Sequence, residues 1–126
     1  MNSEIDKLEE FFELRKEFML KLKEKTGVYP EWPVDITKKS SQQFVRDIAL
    51  RGVEEMFEAI QLLKNAKPHR LTDVSDIDKD AFLEEIVDAF NFFLSVLVLT
   101  GFNSDDLHKA YLTKHEKICK RIDEGY

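Results

Sequence analysis

Apolar side chains recur at steps of three and four residues along most of the chain, which is the spacing of helices with one buried face. This pattern predicts a first helix over residues 3–25, with Ser3 as its N-cap and Gly27 just beyond its end. The segment 28–37 contains two prolines and Trp32, so we predict a loop there. The apolar positions of the first helix are Ile5, Leu8, Phe11, Phe12, Phe18, Met19 and Leu22.

The second predicted helix covers residues 40–65 and begins at Ser40 or Ser41. Gly52 lies inside it, at a cost of about 1 kcal/mol relative to alanine unless a close approach of another helix requires it. A polar loop over residues 67–78 follows. The apolar stripe of this helix consists of Phe44, Ile48, Val53, Phe57, Ile60 and Leu63.

The third predicted helix covers residues 79–100, and Gly101 ends it. Its second half, residues 90–99, is apolar on nearly every side, which is typical of a helix that is buried all round. In a short chain this indicates a central position in a bundle or a subunit interface. A fourth helix is predicted over residues 104–123, with Ser104 as its N-cap.

No segment shows the sustained alternation of a strand. Four helices in 126 residues predict an all-α fold of the four-helix-bundle type, as a single domain over residues 1–126. The apolar half of the third helix further predicts self-association, as a dimer or tetramer built around that helix.

The formal net charge is −6, and the acidic excess is concentrated between Asp73 and Asp88. An acidic surface disfavours a nucleic-acid partner. No apolar run is long enough to span a bilayer, so we expect no membrane partner either. The lone Cys119 permits no internal disulfide and favours a reducing, cytoplasmic location.

Two acidic clusters lie within the apolar stretches of the second and third helices. Their sequences are Glu54-Glu55-Met56-Phe57-Glu58 and Glu84-Glu85-Ile86-Val87-Asp88. Side chains three residues apart share a helix face, so each cluster projects a pair of carboxylates, Glu55 with Glu58 and Glu85 with Asp88. If the two helices pack together, the four charges repel unless a cation neutralises them. A carboxylate set without His or Cys favours Mg²⁺, with Mn²⁺ as the alternative, over zinc.

Two other interpretations stay open at this point. The clusters are also compatible with the solvated faces of a non-catalytic helical interaction module, because glutamate is a good helix former at a surface. A carboxylate-bridged metal oxidase is disfavoured, because ferritin-like di-iron sites use Glu-x-x-His pairs. No histidine of this chain has a glutamate three residues before it.

The paired pattern Glu-Glu-x-x-Glu, 25 residues, Glu-Glu-x-x-Asp resembles the all-α nucleoside triphosphate pyrophosphohydrolases, which include MazG-like proteins and dimeric dUTPases. The resemblance covers about residues 41–126. The C-terminal part is similar to the phage dUTPase and dCTPase-dUTPase branch, which ends in a pattern running from Tyr-x-x-Lys to Gly-Tyr. The residues that match this pattern are Tyr111, Lys114, Arg121, Gly125 and Tyr126.

The resemblance implies roles for specific residues. Glu54 or Glu55 would orient or deprotonate the attacking water. On the fourth helix, Lys114 and Arg121 would neutralise triphosphate charge, and Tyr111 would contact the substrate. The implied magnesium ligands are Glu55, Glu58, Glu85 and Asp88.

Asn91 lies one turn after Asp88 on the same helix face. It can therefore reach the sugar of a nucleotide or a metal-bound water, or it can serve as a core amide.

The reaction implied by the resemblance is the magnesium-dependent release of a nucleoside monophosphate and pyrophosphate from a nucleoside triphosphate. A deoxynucleotide is expected, with dUTP as the first candidate and dCTP as the second. His115, Ile118 and Ile122 depart from the branch's pattern, so a purine nucleotide stays an alternative. The site is expected to be shared between the subunits of a homodimer or homotetramer.

Overall fold

The computed structural model describes residues 4–74 and 76–125, and within these ranges it contains four α-helices and no strand. The helices are α1 (Lys7–Thr26), α2 (Lys39–Gln61), α3 (Lys79–Leu99) and α4 (Ser104–Asp123). The all-α prediction is therefore confirmed. Among these helices, none combines the length and the apolar character needed to cross a membrane.

The N-caps of two helices differ from the prediction. The Asp6 carboxylate accepts a hydrogen bond from the Glu9 backbone N–H at 3.1 Å, so α1 begins at Lys7 rather than at residue 3. The expected cap, Ser3, lies outside the described residues. At α4 the cap is Asn103 rather than Ser104, because Asn103 and Asp106 exchange hydrogen bonds of 2.8 and 3.0 Å in a capping box.

The second helix is shorter than predicted, since α2 ends at Gln61 and not at residue 65. The side chain of Asn65 instead donates a hydrogen bond to the carbonyl of Thr72. This hydrogen bond joins two residues of the α2–α3 loop. Asn65 therefore belongs to the loop and not to the helix.

The helices α2 and α3 pack antiparallel, with Gly52 at their closest approach. A Cβ atom on Gly52 would lie 2.8 Å from Phe93 Cε1 and 3.3 Å from Phe92 Cβ, so only glycine leaves room for the observed packing. On the other side of α3, the rings of Phe11 and Phe90 meet edge to face with centroids 5.9 Å apart. The third helix is therefore central, between α1 and α2.

The core is built by α1, α2, α3 and the loop that follows α1. In that loop Tyr29 is buried and Trp32 packs against the core. The Val34 backbone N–H donates to the Leu99 carbonyl at 2.8 Å, which fixes the loop to the end of α3. The buried cluster consists of Phe12, Met19, Tyr29, Ile48, Leu94, Val98 and Leu99.

Several apolar positions are less buried than the helix patterns predict. Within residues 90–99, Phe90 and Phe93 each keep 39% of their surface exposed, so this half of α3 is not covered on every side. Phe57 is 59% exposed and Val87 48% exposed, so neither side chain belongs to the buried core. The largest difference is α4, which has no buried residue among those described.

Candidate active site

The antiparallel packing of α2 and α3 brings the two acidic clusters together. Carboxylate oxygens of Glu55, Glu58 and Glu85 all lie within 4.8 Å of one another. This follows from the close contact at Gly52, because Glu55 lies one turn further along α2 and faces α3. Three of the four carboxylates that the sequence analysis proposed as ligands therefore share one small volume.

Glu85 is the most constrained member of this cluster. Its Oε2 atom is buried and has no hydrogen-bond partner among the described residues. Burial raises the pKa of Glu85, and the negative charges of Glu58 and Asp88 raise it further. A buried, unpartnered carboxylate oxygen is costly, so this atom calls for a proton or a cation.

Glu55 is held in a similar environment. Burial is the main cause that raises its pKa, followed by a hydrogen bond with Glu58 and by the charges of Glu58, Asp88 and Glu85. The neighbouring negative charges thus disfavour the ionisation of Glu55 and Glu85.

This donor set fits a hard divalent cation. Such ions bind carboxylate oxygens, and the cluster provides several of them, one buried and unpartnered, with no His or Cys in the group. Asp88 is not within the 4.8 Å group, but it is close enough to raise the pKa of Glu55 and Glu85. The residues present therefore fit Mg²⁺ or Mn²⁺.

A cavity of about 880 Å³ adjoins the carboxylates. Glu55, Asp88 and Asn91 line one part of it, which places Asn91 at the cavity and not in the closed core. Much of its wall is aromatic or aliphatic and comes from α1 and α3. A largely apolar cavity with a few polar groups at one end is typical of a small-molecule site.

Two arginines that the sequence analysis did not select also line this cavity, Arg15 on α1 and Arg51 on α2. Arg51 is exposed and lies one turn before Glu55. Arg15 is only 7% exposed. The sequence alone could have identified Arg15. It lies between Phe12 and Met19 at helical spacing, which places a charged side chain on the apolar face of α1.

The remaining predicted site residues lie elsewhere. Glu54 is exposed and lines a neighbouring depression that also includes Glu55 and Arg51. The three α4 residues predicted to bind substrate are exposed and are not among the residues that line the cavity; they are Tyr111, Lys114 and Arg121. Tyr126 lies outside the described residues. One chain thus brings the α2 and α3 carboxylates to the cavity, but not the α4 cations.

Together these features define a class, an all-helical protein that presents clustered carboxylates beside a ligand-sized cavity. Comparison with known proteins specifies it further. The sequence profile of a family described as dUTPase matches residues 33–126, so the chain belongs to the dUTPase family, within the all-α nucleoside triphosphate pyrophosphohydrolases.

One curated relative is the dCTP pyrophosphatase of Enterobacteria phage T4, which is 33% identical over 61 residues. The match covers 48% of this chain and 36% of that protein, so the chain aligns with only about a third of its relative's length. No solved structure matched the chain.

Proposed function

We propose that this protein is a nucleoside triphosphate pyrophosphohydrolase that acts on a pyrimidine deoxynucleotide, dUTP or dCTP, with Mg²⁺ as cofactor. The observation that carries the proposal is the group of three carboxylates within 4.8 Å, one with a buried unpartnered oxygen, beside a cavity large enough for a nucleotide. Membership of the dUTPase family and the activity for which the phage relative is named support the same reaction class.

In this proposal Glu55, Glu58 and Glu85 hold the metal ion, with Asp88 at the edge of the site. The bound ion supplies charge neutralisation for the phosphates and a more acidic water. Manganese is the expected substitute, since it accepts the same oxygen ligands.

The residues around the carboxylates supply the other requirements of the reaction. Glu55 is our first candidate to orient or deprotonate the attacking water, because it belongs to the carboxylate group and also lines the cavity. Glu54, in the neighbouring depression, is the second candidate. Arg51 lies beside Glu55 at the cavity and can donate to phosphate oxygens. Asn91 lines the same cavity and is our candidate for contact with the sugar.

We further propose that the active unit is a homodimer or homotetramer. The chain exposes 10277 Å², whereas a compact monomer of 14.8 kDa should expose about 7,000 Å². Part of the exposed apolar surface lies on α4, where Tyr111 is 69% exposed and Ile122 63% exposed. A helix with an uncovered apolar face is typical of a subunit interface.

The α4 face also carries charge. Its apolar positions Leu107, Tyr111 and Ile118 follow helical spacing, and Lys114 and Arg121 fall on the same face at 100° per residue. Among the described residues, Leu107 is the one of these positions that packs against the core. A second copy seated on this face would be contacted by both cations, and this is how we propose they reach a triphosphate bound at the carboxylates.

Pyrophosphate release from a panel of deoxynucleoside triphosphates, with and without Mg²⁺, tests the proposed reaction. We expect turnover of dUTP or dCTP that requires the metal ion. Absence of turnover with every nucleotide would refute the enzyme. If calorimetry then also showed no magnesium binding enhanced by nucleotide, the alternative of a non-catalytic interaction module would be favoured.

A further inference from the structure

Arg15 is a buried cation without a buried anion. Its Nε donates a hydrogen bond of 2.7 Å to the Ser95 hydroxyl, and no carboxylate lies within 4.0 Å of it among the described residues. The Tyr29 hydroxyl lies 3.3 Å from the same serine oxygen. A guanidinium has five N–H donors, more than these two hydroxyls can accept. Donors therefore remain for a ligand in the cavity that Arg15 lines.

Two aromatic rings restrict the position of this guanidinium. Its central carbon lies 4.4 Å from the centroid of Phe18 and 5.4 Å from that of Phe92. Together with the bond to Ser95, these contacts hold the side chain in one orientation before any ligand arrives. The donors of Arg15 are thus preorganised, which is a requirement for selective recognition.

The position of Arg15 separates it from the phosphate end of the site. Its partner Ser95 lies seven residues after Asp88 on α3, which is about 10.5 Å along the helix axis. Asn91 lies between them at the cavity. If the triphosphate lies at the carboxylates, the sugar reaches the level of Asn91 and the base reaches the level of Arg15.

We propose that Arg15 is a specificity-determining residue that reads the nucleobase, by donating two parallel N–H groups to two adjacent acceptors, N3 and O2 of cytosine. Arginine is a donor only and cannot accept a hydrogen bond. Uracil and thymine carry a hydrogen on N3, which would face these donors and break the pair. The assignment rests on the proposed function and selects dCTP over dUTP within it.

Steady-state kinetics with dCTP, dUTP and dGTP tests this assignment in the wild type, in Arg15→Lys and in Arg70→Lys. Lysine keeps the charge but loses the planar fork. Arg70 is exposed in the α2–α3 loop, away from the cavity, and is the matched control. We expect the wild type to prefer dCTP over dUTP by about 5- to 150-fold, the discrimination of one bidentate arginine–base pair.

In Arg15→Lys the preference should fall to within a few fold, mainly through a higher KM for dCTP, while Arg70→Lys keeps the wild-type ratio. Ser95→Ala, which frees Nε without removing the guanidinium, should lower the preference by a smaller factor, and it serves if Arg15→Lys fails to fold by circular dichroism. If Arg15→Lys turns over both nucleotides with the wild-type preference for dCTP over dUTP, the proposed role of Arg15 is wrong, although the proposed function stands. If Arg15→Lys does not fold, the same result in Ser95→Ala leads to the same conclusion. A wild type that prefers dUTP or dGTP would overturn the cytosine assignment.

Binding without metal provides a readout that does not depend on turnover. Calorimetry compares dCMP, dUMP and the monophosphate of a pyrimidin-2-one deoxynucleoside, which keeps N3 and O2 but lacks the 4-amino group. We expect the pyrimidin-2-one compound to bind the wild type like dCMP and more tightly than dUMP. If it binds like dUMP, the 4-amino group is read instead and the proposed contact is wrong. No turnover of any nucleotide would refute the proposed function itself.

Discussion

Helices α2, α3 and α4 are of similar length, but they differ in how much of their surface the rest of the chain covers. The α2–α3 pair meets closely enough that Gly52 has no room for a Cβ, and it carries the whole carboxylate cluster. Helix α4 spans 20 residues, yet none of them is buried. The α2–α3 pair buries its contact inside the chain, although some of its apolar side chains stay exposed, whereas α4 buries none of its residues.

This difference indicates how the site is divided. The acidic half, which we propose binds a cation, is assembled by contacts within one chain and must tolerate its own repulsion. In the proposed assembly, the basic half, on α4, would be positioned only when that helix acquires a partner surface. A site divided in this way would be complete only in the assembly, so folding of the chain and activity of the enzyme become separable properties.

The largest expected effect concerns the cluster on α3. Glu85→Gln should lower kcat for nucleotide hydrolysis by more than about 100-fold, because loss of groups that only support a metal ligand already costs about 10- to 100-fold. The matched control is Glu84→Gln, the exposed neighbour on the same turn. It should retain activity with unchanged helicity by circular dichroism. Equal activity of the two variants would remove Glu85 from the metal site.

The second prediction concerns the uncovered face of α4. The double variant Ile118→Asp and Ile122→Asp should separate the subunits, because buried carboxylates without partners destabilise an interface. Light scattering should then give the 14.8 kDa of a single chain. Activity should fall by about tenfold or more, since the proposed cations are no longer held at the carboxylates.

A control variant distinguishes this face from the rest of α4. Glu116→Ala lies on the opposite side of the helix and is exposed. It should leave both mass and activity unchanged. A wild-type protein that is already a 14.8 kDa monomer and fully active would contradict the division of the site between subunits.

The third prediction concerns the close contact inside the α2–α3 pair. Gly52→Val should lower the free energy of unfolding by about 1–3 kcal/mol, because its side chain must displace Phe93 and press on Phe92. Urea unfolding should show a lower midpoint with an unchanged slope. Adding Phe93→Leu should restore part of the loss, since the smaller side chain vacates the space. Additive effects of the two substitutions would show that they do not share this contact.

The helices and the carboxylates could be predicted from the sequence because both depend on local spacing. Three-residue steps place Glu55 beside Glu58, and the antiparallel packing of the next helix then supplies Glu85. Helix ends were harder to predict, because several capping residues lie close together and their geometry decides among them. Asp6 caps α1, where the sequence analysis selected Ser3.

Arg15 and the exposure of α4 could not be predicted in the same way. The hydroxyl that positions Arg15 belongs to Ser95, 80 residues further along the chain, so no local pattern joins them. For α4, helical spacing identifies an apolar face but does not state whether the same chain covers it. Sequence spacing therefore predicted that the carboxylates of α2 and α3 lie together, whereas the role of α4 stays a prediction.

The smallest expected effect concerns how much the acidic cluster lowers the thermal stability of the metal-free protein. Burial and the charges of Glu58 and Asp88 raise the pKa of Glu85, so the folded state binds its proton more readily than the unfolded state does. The stability that this proton contributes is present below the ordinary glutamate pKa and is lost as pH rises through the raised value. At neutral pH, the metal-free Glu85→Gln variant should therefore have a higher Tm than the wild type.

The sign of this Tm difference provides its own test. The advantage of Glu85→Gln should shrink as pH falls into the ordinary glutamate range, because the wild-type carboxyl becomes protonated and then resembles the neutral amide. Added Mg²⁺ should reverse the order, since only the intact cluster gains stability from the ion. Thermal unfolding followed by circular dichroism, with chelator or with Mg²⁺, measures both effects, and Glu84→Gln controls for the loss of one charge. A Tm difference that stays constant with pH and with Mg²⁺ would mean that the α2–α3 pair holds its carboxylates without strain, and the reason for placing a cation among them would be lost.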